Sequence, residues 1–171
     1  MEARSERIAP FEQFLRDFLA PRGVDLDAHS AIFLLYRTSL DVAAALEAGA
    51  LRAFGLSHAG FALLMTLWVT GPREIRELAF LLRLSRASVV GTVHTVQRAG
   101  LVRRVRSEED RRLVRVELTP EGLGVVERAQ AALHGFEQDL TRDLTVAEQR
   151  TLAALLRRVG HAARTCLRSL A

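Results

Sequence analysis

Apolar residues recur at helical spacing through most of the chain, and the breaks fall at glycine, proline and capping residues. Near the start, Ile8, Phe11, Phe14, Leu15, Phe18 and Leu19 share one stripe, which Pro21 and Gly23 close. This predicts a short amphipathic helix that needs a partner surface. A second helix is expected from about Ala28 to Phe54, with Ile32, Leu35, Leu40, Ala43, Leu46 and Phe54 apolar and Gly55 as its stop. Ser57 caps a third, which ends at Gly71-Pro72. The stretch from Ile75 to Gly100 divides at Arg83-Leu84 into two short helices, with Ser85 as the cap of the second. The period then changes. Leu101–Arg106 and Leu113–Leu118 are rich in β-branched residues. In the second, Val114, Val116 and Leu118 alternate with Arg115 and Glu117, as in a half-buried strand. The polar SEEDRR between them makes a hairpin loop. Thr119, with Pro120 in the first turn, opens a helix to about Leu140. Thr145 caps a last helix carrying Leu152, Leu155, Leu156, Val159, Ala163, Cys166, Leu167 and Leu170 at helical spacing.

Two short helices followed directly by a two-stranded hairpin is the order of a winged helix-turn-helix. The expected fold class is therefore mainly α, with a small two- to three-stranded β wing. The second helix of such a unit can enter the major groove of double-stranded DNA. On that helix Val89, Val93 and Val96 fall on one face and would pack inward. Ala87, Gly91, His94 and Arg98 fall opposite, with Ser88 and Thr95 beside them. Ser85, Arg86, Ala87, Ser88, Gly91 and Thr95 are thus the candidate base-reading residues: the small ones let the backbone come close to base edges, and Arg86 adds a long donor at the helix start. Arg103 and Arg104, on the strand entering the hairpin, are candidate phosphate contacts. At the hairpin tip Arg111 and Arg112 can reach a neighbouring minor groove. Asp110 would orient Arg112 by a charge-assisted hydrogen bond.

Charge sharpens this picture. All 24 basic residues are arginine, whose planar fork suits phosphate and guanine, and the net charge is +4. Between Arg73 and Arg115 eleven arginines face five acids, a surplus of six. The rest of the chain carries about two negative charges, so one basic module between near-neutral flanks points to a polyanionic partner. The single cysteine, Cys166, excludes an internal disulfide or a CxxC metal site and fits a reducing, cytoplasmic setting. No stretch approaches ~20 uninterrupted apolar residues, so no membrane span is expected.

The stretch LSRASVVGTVHTVQRAGLVRRVRSEEDRRLVRVELTPEG, Leu84 to Gly122, resembles the helix-plus-wing core of MarR-type regulators. The matching pieces are LSRAS, GLVRR, the D-x-R of Asp110 and Arg112, and LTPEG. The resemblance implies an obligate homodimer, with the first and last long helices interlocked and two winged domains reading a palindromic operator. It implies that Arg112 reaches the minor groove and Asp110 holds it. It further implies repression of neighbouring genes, relieved by a small aromatic or acidic ligand. The expected division is an N-terminal extension over 1–29, helical dimerisation regions over 30–56 and 120–171, and a DNA-binding domain over 57–119. Where many members carry a long polar side chain at the centre of the reading helix, this chain has Gly91. That shifts weight to Arg86, Ser88 and DNA shape.

Other residues carry weaker signals. The five histidines form no HxxxH or HExxH pair, and no metal, cofactor or catalytic residue is assigned. Cys166 sits on an apolar stripe and is expected to be a buried structural thiol. Tyr36, Met65 and Trp68 read as core. The alternative is that they line an effector pocket with Arg37 or His58 facing a ligand carboxylate. No nucleophile elbow or phosphate loop is present, so an enzyme ranks below the DNA-binding readings. Among those, an architectural protein of low sequence specificity is the alternative to a specific regulator. A winged helix that binds only proteins would not need the basic surplus.

Overall fold

A computed structural model describes residues 8–106 and 113–170, and the side chains from Phe11 onward. The hairpin-tip residues Ser107 to Arg112, including Asp110, Arg111 and Arg112, lie outside the described residues. The chain forms two compact units, 1–45 and 46–171.

The first unit holds α1 (Ile8–Leu19) and most of α2 (Leu26–Leu46). A short 3-10 turn, Ala20–Arg22, ends at Gly23 in the left-handed region. Asp25 restarts the helix: its carboxylate accepts from the N–H groups of Asp27 and Ala28 at 3.1 and 3.0 Å. An aromatic cluster joins the two helices. Phe33 meets Phe11 at 6.3 Å and stacks on His29 at 5.9 Å.

The second unit begins where α2 loosens into a π-helical turn, Glu47–Leu51, and a 3-10 turn, Arg52–Phe54. The single helix expected to Phe54 therefore has a wide turn near its end. Then come α3 (His58–Thr70), β1 (Arg73–Glu74), α4 (Ile75–Leu82), α5 (Arg86–Arg98), β2 (Val102–Arg106), β3 (Val114–Leu118), α6 (Pro120–Thr141) and α7 (Val146–Ser169). The strands form an antiparallel sheet in the order β1-β3-β2, with Arg103 opposite Glu117 and Arg104 opposite Val116. The alternation of β3 holds at Val116, which is fully buried, and fails at Val114, which is exposed near the hairpin tip.

The core is drawn from the end of α2 and the turns after it, α3 to α6, β2 and β3. Leu51, Leu63, Leu64, Leu78, Val89, Val93, Val102, Val116 and Val126 are all but inaccessible. Capping follows the sequence closely. Ser57, Ser85, Thr119 and Thr145 each accept an N–H from three residues on. The LTPEG segment joins wing to helix. Thr119 donates its hydroxyl to the Gly100 carbonyl (2.7 Å) and its N–H to the Leu101 carbonyl (3.1 Å). Gly122 then lies so close that a Cβ there would stand 1.9 Å from the Leu101 oxygen. Only glycine fits that approach.

Two expectations change. Tyr36 and Trp68 are not core: they are 63% and 40% exposed, on stretches of α2 and α3 that the described residues leave uncovered, while Met65 is half-buried. Cys166 is exposed rather than buried. The reason is the same: α7 buries none of its residues, and its stripe of Leu152, Leu155, Leu156 and Leu167 faces outward in a single chain. Among the described residues, no single helix is long and apolar enough to cross a membrane.

Candidate nucleic-acid interface

Helices α4 and α5 meet at a tight turn. Arg83 adopts a left-handed conformation (φ 54°), and Leu84 donates its N–H back to the Ala79 carbonyl at 3.1 Å. Chain reversal here uses an arginine where glycine would be unstrained. Ser85 then starts α5, accepting from the N–H of Ser88 at 3.0 Å.

One face of α5 is anchored by Val89, Val93 and Val96, at 0, 0 and 3% exposure. The opposite face is open: Ser85, Arg86, Ala87, Ser88, Gly91, His94, Thr95 and Arg98 are all exposed. All six base-reading candidates are exposed, with Ser88, Gly91 and Thr95 grouped along one notch and Arg86 in a separate groove. A Cβ added at Gly91 would meet nothing within 4 Å, so the fold itself does not demand glycine there. A notch of about 320 Å³ runs beside this face, between α5 and the start of α3, lined by Ser57, Gly60, Ser88, Gly91, Thr92 and Thr95. On the other side, a groove of about 500 Å³ is lined by Arg73, Arg76, Glu77, Phe80, Leu81 and Arg86.

The arginines divide by partner. Arg103 pairs with Glu117 across the strands at 2.6 Å, so its charge is largely neutralised. Arg76 pairs with Glu74 at 2.9 Å. Arg86, Arg98, Arg104 and Arg106 have no hydrogen bond or ion pair among the described residues. Their guanidinium forks are open to meet phosphate. Sequence reasoning ranked Arg103 with Arg104; the cross-strand register separates them. It did not single out Arg106, which follows two residues after Arg104 on the same side of β2.

The residues proposed for an effector pocket are distributed over both units. Tyr36 and Arg37 belong to the first, and His58, Met65 and Trp68 to α3 of the second. His58 opens α3 with its N–H held by the Glu47 carboxylate at 3.0 Å. In the first unit a pocket of about 100 Å³ is lined by Glu12, Leu15, Arg16, His29, Ser30, Phe33 and Leu34, without Tyr36 or Arg37. His29 turns a buried ring nitrogen, Nε2, that has no hydrogen-bond partner among the described residues. The described residues contain no cluster of three or more metal-ligating side chains.

A core-anchored helix with an open polar face, a tight turn before it and two strands after it that complete a three-stranded sheet with β1 define a winged helix-turn-helix regulator. The MarR family profile matches residues 56–114. The chain is 32% identical over 137 residues to the helix-turn-helix transcriptional regulator YwaE of Bacillus subtilis, covering 80% of each chain. A probable transcriptional regulator from Pseudomonas aeruginosa, of known crystal structure, superposes with a TM-score of 0.69 at 30% identity, over 74% of this chain and 94% of that one. The M. tuberculosis regulator MOSR, crystallised with DNA, gives a TM-score of 0.66 at 25% identity, over 80% and 97% of the two chains. The chain belongs to the MarR family of helix-turn-helix transcriptional regulators.

Proposed function

We propose that the protein is a homodimeric repressor that binds double-stranded DNA at a palindromic operator near its own gene. The observation that carries this is α5: three valines fix it to the core while its exposed face presents Ser85, Arg86, Ala87, Ser88, Gly91 and Thr95. In this reading α5 enters the major groove and Arg104 meets backbone phosphate. Arg103 contributes less, since Glu117 already holds it. The hairpin tip reaches the adjacent minor groove through Arg112, which Asp110 orients, with Arg111 beside it. Residues 57–119 form the DNA-binding domain, and 30–56 with 120–171 the dimerisation regions.

Dimerisation is supported by α7. Four leucines at 42–68% exposure on one helix are costly to leave in water, and a second copy of the chain would cover them. The extension over 1–29 adds its phenylalanines to the same association. A small aromatic or acidic ligand releases the operator.

The test is fluorescence anisotropy of the full chain with the DNA upstream of its own gene and a scrambled duplex, across a salt series. A preference of ~10³-fold or more for the native fragment supports a specific repressor. Equal binding to both with a steep salt slope favours an architectural protein. No binding at low salt removes DNA from the account. Leu156→Asp should turn the dimer into a monomer by light scattering and abolish binding with it.

A further inference from the structure

We propose that α5 reads the 5-methyl groups of thymine, with Val90 as the specificity-determining residue; this rests on the DNA-binding reading above. The starting point is an account of the hydrogen-bond donors on the helix. Each hydroxyl has one proton to give. Thr92 gives its proton to the Ser88 carbonyl at 3.0 Å, and Thr95 gives its own to the Gly91 carbonyl at 3.1 Å. Ser85 and Ser88 share a proton at 2.8 Å, and the Ser85 oxygen also accepts the Ser88 N–H. Gly91 brings no side chain at all. Apart from the second proton of the Ser85–Ser88 pair and the exposed His94 ring, the middle of the reading helix therefore has few donors for the guanine acceptors O6 and N7, which need them. Arg86 supplies donors only at the helix start.

What the middle does present is apolar. Val90 is 44% exposed, although Val89 and Val93 on either side of it in the helix are fully buried. It takes no part in the core. Beside it Gly91 leaves open space, so the helix backbone can approach the base edges and bring the isopropyl group with it. In the major groove the apolar feature that distinguishes one base from the others is the thymine methyl. A valine pressed against it buries both surfaces; against cytosine or guanine it strands polar edges without partners. The occupant that matches Val90 is thus an A·T pair near the centre of each half-site.

The experiment begins with selection of duplexes from a random library by the full-length protein. Each thymine of the selected half-site is then replaced by deoxyuridine, which removes the methyl and nothing else. At one or two symmetric positions the affinity should fall about fourfold for each methyl lost, the worth of one buried methylene. Val90→Ala should bring the thymine-to-uracil ratio at those positions close to one, with an unchanged melting temperature because the side chain is exposed. Gly91→Ala should weaken binding by holding the helix away from the bases. Equal binding of thymine and uracil at every position, or a full ratio retained by Val90→Ala, overturns methyl reading while leaving DNA binding intact. Failure of the library to yield any bound duplex overturns the DNA-binding reading and this inference together.

Discussion

Gly122→Ala is the substitution that most directly tests how the wing is held to the helical part of the second unit. The added Cβ would lie 1.9 Å from the Leu101 carbonyl oxygen, 2.8 Å from its carbon and 3.1 Å from its Cα. All three are backbone atoms, so no side chain can rotate away. Relief requires the start of α6 to move off the base of β2 by more than 1 Å, a distance set by ordinary contacts of about 3.5 Å. That movement strains the Thr119 bonds to Leu101 and Gly100, worth about 1 kcal/mol each. Overpacking adds about 1–3 kcal/mol. Against these stands the better helix propensity of alanine, about 1 kcal/mol. The net expectation is a loss of about 2–4 kcal/mol. Urea unfolding at one fixed protein concentration reads it as a lower midpoint, with the concentration held because association couples to stability. Gly135→Ala is the control: a Cβ there meets nothing within 4 Å, so only the propensity gain of up to about 1 kcal/mol remains. A Gly122→Ala protein as stable as wild type would mean that the α6–β2 approach is looser than described and that the LTPEG clamp has no energetic weight.

Three other outcomes follow from the geometry. Arg104→Ala should lower the slope of log affinity against log salt by about 0.9 per chain, or about 1.8 for a dimer; Arg103→Ala should leave the slope nearly unchanged, because Glu117 already holds that charge. Equal slopes for the two variants would contradict the division of the arginines by partner. Arg83→Gly should raise stability by about 0.5–1 kcal/mol in chemical denaturation, since glycine accepts the left-handed φ of 54° without strain; a lower midpoint would point to a packing role for the Arg83 stem. The start of α7 should be acid-sensitive. The Thr145 hydroxyl and N–H both donate to Glu148, at 2.7 and 2.8 Å, and hold its carboxyl below its ordinary value of 4.5. A depressed folded value means that the contribution is present above 4.5 and is lost as pH falls through the lower value. Glu148→Gln should remove that part of the pH dependence, measured as helix signal between pH 5 and acid; an identical acid transition in both proteins would refute it.

Much of this protein follows from local chemistry and is therefore readable from residue order. Helix caps at Ser57, Ser85, Thr119 and Thr145 are decided within four residues, and each is used as its neighbours predict. The buried face of α5 follows from 3.6-residue periodicity alone, so Val89, Val93 and Val96 and the open face opposite them were legible in advance. The same holds for the change from helix to strand after Gly100 and for the basic surplus that surrounds it.

Tertiary structure decided what depends on partners far apart in the chain. That Arg103 is spent and Arg104 is not comes from the strand register, which sets Glu117 opposite one and Val116 opposite the other. That Gly122 is indispensable comes from Leu101, twenty-one residues earlier in sequence yet in contact. Periodicity marks Trp68, Tyr36 and Cys166 as apolar positions on helical stripes, but it cannot say whether the surface that covers a stripe belongs to the same chain. Burial is a property of the assembled surface, whereas capping and amphipathicity are properties of a few consecutive residues.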